Sequence, residues 1–159
     1  MIKILLIFTL IFSLYANDEL YDAFKRGDYK TAFKILKKAS NRGDANAQYN
    51  LALMYYQGDG VEQNISKTAQ LLESSAQKGN KKAIENIGRI YMQILDFDKA
   101  SYWLEKNAKN GDKEAYYLLS EIYCEKEKFK LAKKWAKKSI ENGNLDAKDL
   151  WDRYKLQDY

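Results

Sequence analysis

Residues 79–112 read GNKKAIENIGRIYMQILDFDKASYWLEKNAKNGD, and the opening pair, Gly79-Asn80, returns at the close as Gly111-Asp112. The same signature stands at Gly43-Asp44 and Gly143-Asn144, so the glycines are spaced by 36, 32 and 32 residues. Four residues after each glycine comes Ala47, Ala83, Ala115 or Ala147. Eight after comes Leu51, Ile87, Leu119 or Trp151, and twelve after the first three comes Tyr55, Tyr91 or Tyr123. Counting back gives Ala32, Thr68, Ala100 and Ala132 at eleven before, Ile35, Leu71, Trp103 and Trp135 at eight before, and Tyr29, Ile65, Phe97 and Phe129 at fourteen before. Apolar columns at such a period predict stacked repeats. Glycine can take the left-handed conformation that closes a helix, and Asp or Asn beside it can cap the next one. Each pair therefore predicts a corner between antiparallel helices, and each repeat reads as helix A, a turn, helix B and a corner.

At 159 residues the chain is one domain by length, enough for a continuous repeat core. It has no proline, and its net charge of +5 is mixed in sign, which argues for solubility over polyanion binding. Residues 1–16 read as a secretory leader: Lys3 is their one charge, Ile4 to Leu14 is an apolar run broken by Thr9 and Ser13, and Ala16 is small. The run is too short to span a bilayer comfortably. Cleavage after Ala16 would leave 17–159 as the repeat domain, periplasmic or secreted; an uncleaved leader would be the one membrane anchor. The single Cys124 has no intramolecular disulfide partner and reads as a partly buried helix residue.

Periodicity predicts helices over Asn17–Arg26, Tyr29–Asn41, Ala45–Gln57, Ile65–Lys78, Lys81–Gln93, Phe97–Lys109, Lys113–Glu125 and Phe129–Glu141. A final helix, Leu145 to about Leu156, lacks a partner and would cover the last exposed face. The connection Gly58-Asp59-Gly60-Val61-Glu62-Gln63-Asn64 is four residues longer than its counterparts. Gly88 falls inside a helix, where a neighbour must pack close.

Ala47-xxx-Leu51-Ala52-xx-Tyr55-xx-Gly58-x-Gly60-Val61-xx-Asn64-xx-Lys67-Thr68, closing with Ala76-xx-Gly79, resembles the Sel-one-like repeat (SLR) of the tetratricopeptide superfamily. The resemblance extends over roughly Asp18 to Gln157, although the third and fourth units lack the Gly-x-Gly loop. It implies an all-α fold, a right-handed α-solenoid of antiparallel helix pairs with about four repeats and a C-terminal capping helix. It also implies a non-catalytic scaffold for protein binding. One exported, cysteine-rich branch of that family is described as penicillin-binding or β-lactamase-like. Its members carry a disulfide in each repeat, which one cysteine cannot supply, so this activity is the alternative reading.

With no histidine there is no imidazole base, triad or imidazole metal site, and no cofactor framework appears. Asp96 and Asp98 read as turn and N-cap residues rather than paired catalytic carboxylates. The doublets Lys37-Lys38, Lys133-Lys134 and Lys137-Lys138 interleave with acidic residues and read as a solvated face, so no nucleic-acid partner is expected. The partner expected is an unidentified protein or peptide. In such solenoids the inner curve would take the helix A positions three, six, ten and thirteen after each corner glycine. These are Asn46, Tyr49, Leu53 and Tyr56; Lys82, Glu85, Arg89 and Met92; Glu114, Tyr117, Glu121 and Cys124; with Asp149 and Arg153 from the last helix. Exposed Tyr, Met and Arg suit an interface, and the other reading is that Tyr49 and Tyr117 pack between neighbouring repeats. Separately, Glu62-Gln63-Asn64-Ile65-Ser66 resembles the extended acidic sequon of bacterial periplasmic oligosaccharyltransferases, which makes Asn64 a candidate glycosylation site.

Overall fold

The computed structural model describes residues 18–159, so the predicted leader and Asn17 lie outside the described residues. These residues form helices joined by turns and one longer loop, with no strand among them. Two compact units are present, the first ending at Asn80 and the second running Lys81–Tyr159.

The first unit holds α1 (18–25), α2 (Tyr29–Asn41), α3 (Ala45–Gln57) and α4 (Ile65–Gln77). The second holds α5 (Lys81–Gln93), α6 (Phe97–Lys109), α7 (Lys113–Glu125), α8 (Phe129–Glu141) and α9 (Asp146–Arg153), then a single 3-10 turn at Leu156–Asp158. Within each unit successive helices pack on one another, α3 on α4, α5 on α6 and α7 on α8. Side-chain bonds fix the pairing as antiparallel. Ser75 Oγ, near the end of α4, donates to the Ala45 carbonyl at the start of α3 (2.6 Å), and Asn107 Nδ2, near the end of α6, donates to the Glu85 carbonyl early in α5 (3.1 Å).

The corners carry the chemistry expected of Gly-Asx. Gly43, Gly79, Gly111 and Gly143 have φ of 89, 85, 89 and 88°. Each following residue sends its N–H five residues back: Asp44 to Ala39, Asn80 to Ser75, Asp112 to Asn107 and Asn144 to Ser139, at 3.1–3.3 Å. Such reach-back bonds satisfy carbonyls that the helix end leaves orphaned. Asp44 Oδ1 then accepts from Ala47 N (2.8 Å), Asp112 Oδ1 from Glu114 N (3.0 Å) and Asn144 Oδ1 from Ala147 N (3.2 Å).

The alanine columns are the places of closest approach: Ala32, Ala83, Ala100, Ala115, Ala132 and Ala147 have no exposed surface. Trp103 and Trp135 are buried, and the Trp135 ring stacks on Tyr116 at 5.9 Å between centroids. In the first unit Leu36, Leu51 and Met54 form the core with Ala23, Ala32 and Ala47.

Four helix ends differ from the periodic reading: α1 stops at 25, one residue before Arg26, α9 starts at Asp146 with Leu145 as its N-cap, and the other two are the ends of α4 and α9. Lys78 caps α4 instead of extending it. The last helix stops at Arg153 because Lys155 takes φ of 48°, which turns the chain so that Leu156 is fully buried. As expected of a capping helix, α9 covers the end of the array by packing on both α7 and α8.

Candidate functional site

The proposed interface positions lie on α3 in the first unit and on α5, α7 and α9 in the second. On α3, Asn46 and Tyr56 are exposed while Tyr49 and Leu53 are half-buried. Asn46 Oδ1 accepts from Asn80 Nδ2 (2.9 Å), so a corner residue orients it. Beside that bond, Lys78 Nζ donates to the Gly43 carbonyl (2.8 Å) and to Gln48 Oε1 (3.2 Å), tying the end of α4 to the corner before α3.

On α5, Lys82 and Glu85 are exposed, and Arg89 and Met92 are half-buried. Arg89 is held from two sides. Its Nε donates to Glu114 Oε1 (2.9 Å) and Nη2 pairs with the other carboxylate oxygen, while Nη1 donates to the Glu85 carbonyl (3.0 Å). The hydrogen bond from Arg89 holds the Glu114 carboxyl below the usual range. Glu114 is well exposed and Arg89 about one third exposed, so this fork orients α5 against α7 more than it adds stability.

Glu85 and Arg89 line a cleft of about 770 Å³ with Lys81, Asn86, Asn107 and Asn110. The sequence reading missed those last four. One signal for them exists: Asn107 occupies the column four before the corner glycine, where Ala39, Ser75 and Ser139 are small. A buried amide there requires a partner, and the Glu85 carbonyl supplies it.

Along α7, Glu114 is exposed, and Tyr117 and Glu121 are half-buried and bonded to each other, Tyr117 Oη donating to Glu121 Oε1 at 2.7 Å. Partial burial, then the neighbouring carboxylate, pushes the Tyr117 phenol up to about 12. Asp149 and Arg153 are exposed on α9. Cys124 is the correction. It is buried, not surface-lining, and burial pushes its thiol up to about 11. Helix α7 is packed by α6, α8 and α9, and just beyond α9 Tyr154 Oη donates to Glu125 at 3.4 Å.

Asp96 caps α6, its Oδ1 accepting from Lys99 N (3.0 Å), while Asp98 pairs with Lys126. The lysine doublets lie partly over rings, Lys37 over Phe33, Lys133 over Trp151, and Lys134 and Lys138 over Trp135 at 5.0–5.8 Å. Asn64 is exposed and caps α4, accepting from Lys67 N at 2.8 Å. No group of His, Cys, Asp and Glu among the described residues is arranged to hold a metal ion.

Comparison with known proteins places the chain. The Sel1 repeat model matches residues 17–44, 45–80, 87–112 and 113–144. A putative sel1-like repeat-containing protein of Acanthamoeba polyphaga mimivirus is 36% identical over 70 residues, covering 39% of this chain and 12% of its own length. The ERAD-associated E3 ubiquitin-protein ligase component HRD3A of Arabidopsis thaliana is 33% identical over 67 residues, covering 42% and 10%. The chain thus spans about a tenth of the length of these curated relatives. Among solved structures, a protective antigen of uropathogenic Escherichia coli with an SLR fold shares 29% identity at a TM-score of 0.62, covering 87% of this chain and 33% of that one. A MamA protein shares the fold at 17% identity and a TM-score of 0.68, covering 91% and 84%. Columns, corners and helix pairing agree with the matched model over most of the chain, which belongs to the Sel1 repeat family.

Proposed function

We propose that this is a non-catalytic interaction module, exported to the periplasm, whose helix A surfaces hold a peptide or partner helix. Sel1 repeat proteins are in general protein-interaction modules, and the similar Arabidopsis protein is itself a component of a larger ligase. The observation that carries the reading is the cleft of the second unit. Arg89 is pinned there before any partner arrives, by Glu114 and the Glu85 carbonyl, and amides and a lysine surround it. A held side chain loses little freedom on binding. Export is supported by the composition of residues 1–16.

The test is site-specific photo-crosslinking in cells. A photoreactive residue at Glu85 should give a discrete protein adduct, and one at Lys134, exposed on α8, should not. Co-purification of the adducted protein should be lost with Arg89→Ala, in the same cleft. Equal adducts from both positions, or unchanged co-purification, would overturn the assignment. N-terminal sequencing should begin at Asn17; retention of Met1 would overturn cleavage.

A further inference from the structure

The connection between α3 and α4 is anchored at both ends and open in the middle. Gly58, at φ of 84°, ends α3. Gly60 presses against the Tyr29 backbone so closely that a Cβ there would fall 2.5 Å from the Tyr29 carbonyl. The chain returns through Asn64 N to the Tyr55 carbonyl (2.8 Å) and Gln63 Nε2 to the Tyr56 carbonyl (2.7 Å). Glu62 lies between these anchors and is exposed, as are Gln63, Asn64 and, just beyond, Ser66.

We propose that Asn64 is an acceptor for an N-linked glycan, transferred from a polyprenyl-pyrophosphate-linked oligosaccharide outside the inner membrane. The proposal rests on the exported reading above. Asn64 is the one asparagine of the chain with Ser or Thr two residues later, and it also has a carboxylate two residues earlier. A transferase that reads positions two before and two after the acceptor needs them on one side of an extended chain, where side chains repeat every second residue. Glu62 and Asn64 already lie in extended or irregular backbone, and Asn64 has φ of −152° and ψ of 97°. Ser66 is at the second position of α4, rotated about 200° from Asn64 by the helix. The first turn of α4 must therefore open, or not yet have formed, when transfer occurs, as holds for a chain emerging from an export channel.

The reaction leaves the fold intact afterwards. A bond forms between Asn64 Nδ2 and the anomeric carbon. The bond from that carbon to the lipid pyrophosphate breaks, the pyrophosphate departs with the electron pair, and one amide proton passes to solvent base. The fold uses Oδ1, which accepts from Lys67 N. The product amide keeps that oxygen, so the helix cap survives. By contrast Asn80, Asn86, Asn107 and Asn142 each commit Nδ2 to a carbonyl or amide oxygen.

The experiment expresses the full repeat domain behind a foreign secretory leader in a bacterium carrying such a transferase and its lipid-linked oligosaccharide, alongside a second acceptor protein. Intact mass should rise by one glycan. The increment should vanish in Asn64→Gln and Ser66→Ala and fall at least tenfold in Glu62→Gln, which leaves the helix cap untouched. A bare mass while the second acceptor is modified would overturn the proposal, as would a glycan that persists in Asn64→Gln. The same chain with its own residues 1–16 is run in parallel. A glycan with the foreign leader but none with the native one would refute the export reading and leave the acceptor standing.

Discussion

Replacing Gly88 by alanine sets two effects of known size against each other. In a helix interior alanine is favoured over glycine by about 1 kcal/mol. Gly88, however, lies in α5 where a Cβ would sit 2.7 Å from Leu104 Cγ and 2.9 Å from its Cδ2. Carbon atoms settle at about 3.5–4.0 Å, so the new methyl is too near by roughly an ångström. Leu104 is fully buried in α6 and its branch point, not a free end, is the obstacle. Overpacking of this kind costs about 1–3 kcal/mol, so Gly88→Ala should lose about 1 kcal/mol net. Urea unfolding followed by circular dichroism measures it. Leu104→Ala alone should cost about 2–5 kcal/mol. In that background Gly88→Ala should turn neutral or stabilising, a coupling of about 1–3 kcal/mol. If Gly88→Ala raises the urea midpoint of the parent protein, the claim that α5 and α6 touch backbone to side chain at this position is wrong.

Ala115→Leu, at a column position with no exposed surface, should cost about 1–3 kcal/mol in the same assay. Leu95 has φ of 61° yet is 72% exposed. Leu95→Gly should therefore stabilise by about 0.5 kcal/mol, relief of left-handed strain exceeding the added chain entropy. Tyr117 and Tyr123 are both pushed up to about 12, chiefly by burial, so the fold favours their neutral forms. Their contribution is complete below pH 10 and is lost as pH climbs from 10 through 12. Tyr154 is also raised, by burial and then Glu125, so absorbance at about 295 nm should show late-ionising phenols whose phase near pH 12 is lost in Tyr117→Phe with Tyr123→Phe.

Helix bounds were legible wherever they rest on local chemistry. Gly43-Asp44 and Gly111-Asp112 each combine a left-handed residue with a capping carboxylate, and Gly79-Asn80 supplies the same left-handed turn, so α3, α5 and α7 begin where the residue pattern puts them. The tight turns at 94–96 and 126–128 fall where periodicity puts them, but their backbone conformation does not show in the residue types. Leu95 and Glu127 take positive φ without glycine, because Asp96 N and Lys128 N must reach back to the Tyr91 and Tyr123 carbonyls. Of the long-range effects, the close approach at Gly88 shows in the sequence, because only a missing side chain admits Leu104 there, while others do not. Helical position alone put Cys124 with Met92 and Tyr56, and nothing in its neighbours reveals that α9 folds back over α7. Asn107 is similar: its spacing marks a core column, but its role in the cleft depends on a carbonyl 22 residues away.

Each Gly-Asx corner closes on its own backbone, from Asp44 N to the Ala39 carbonyl through to Asn144 N and the Ser139 carbonyl. A joint so self-sufficient lets copying enzymes duplicate or drop a whole cassette without rewriting what flanks it. Point insertions have a different outlet: the four extra residues of the α3–α4 connection bulge there while both adjoining corners keep their geometry. Growth by gene slippage and growth by loop decoration are thus kept apart in this architecture, one at the corners and the other at the turns.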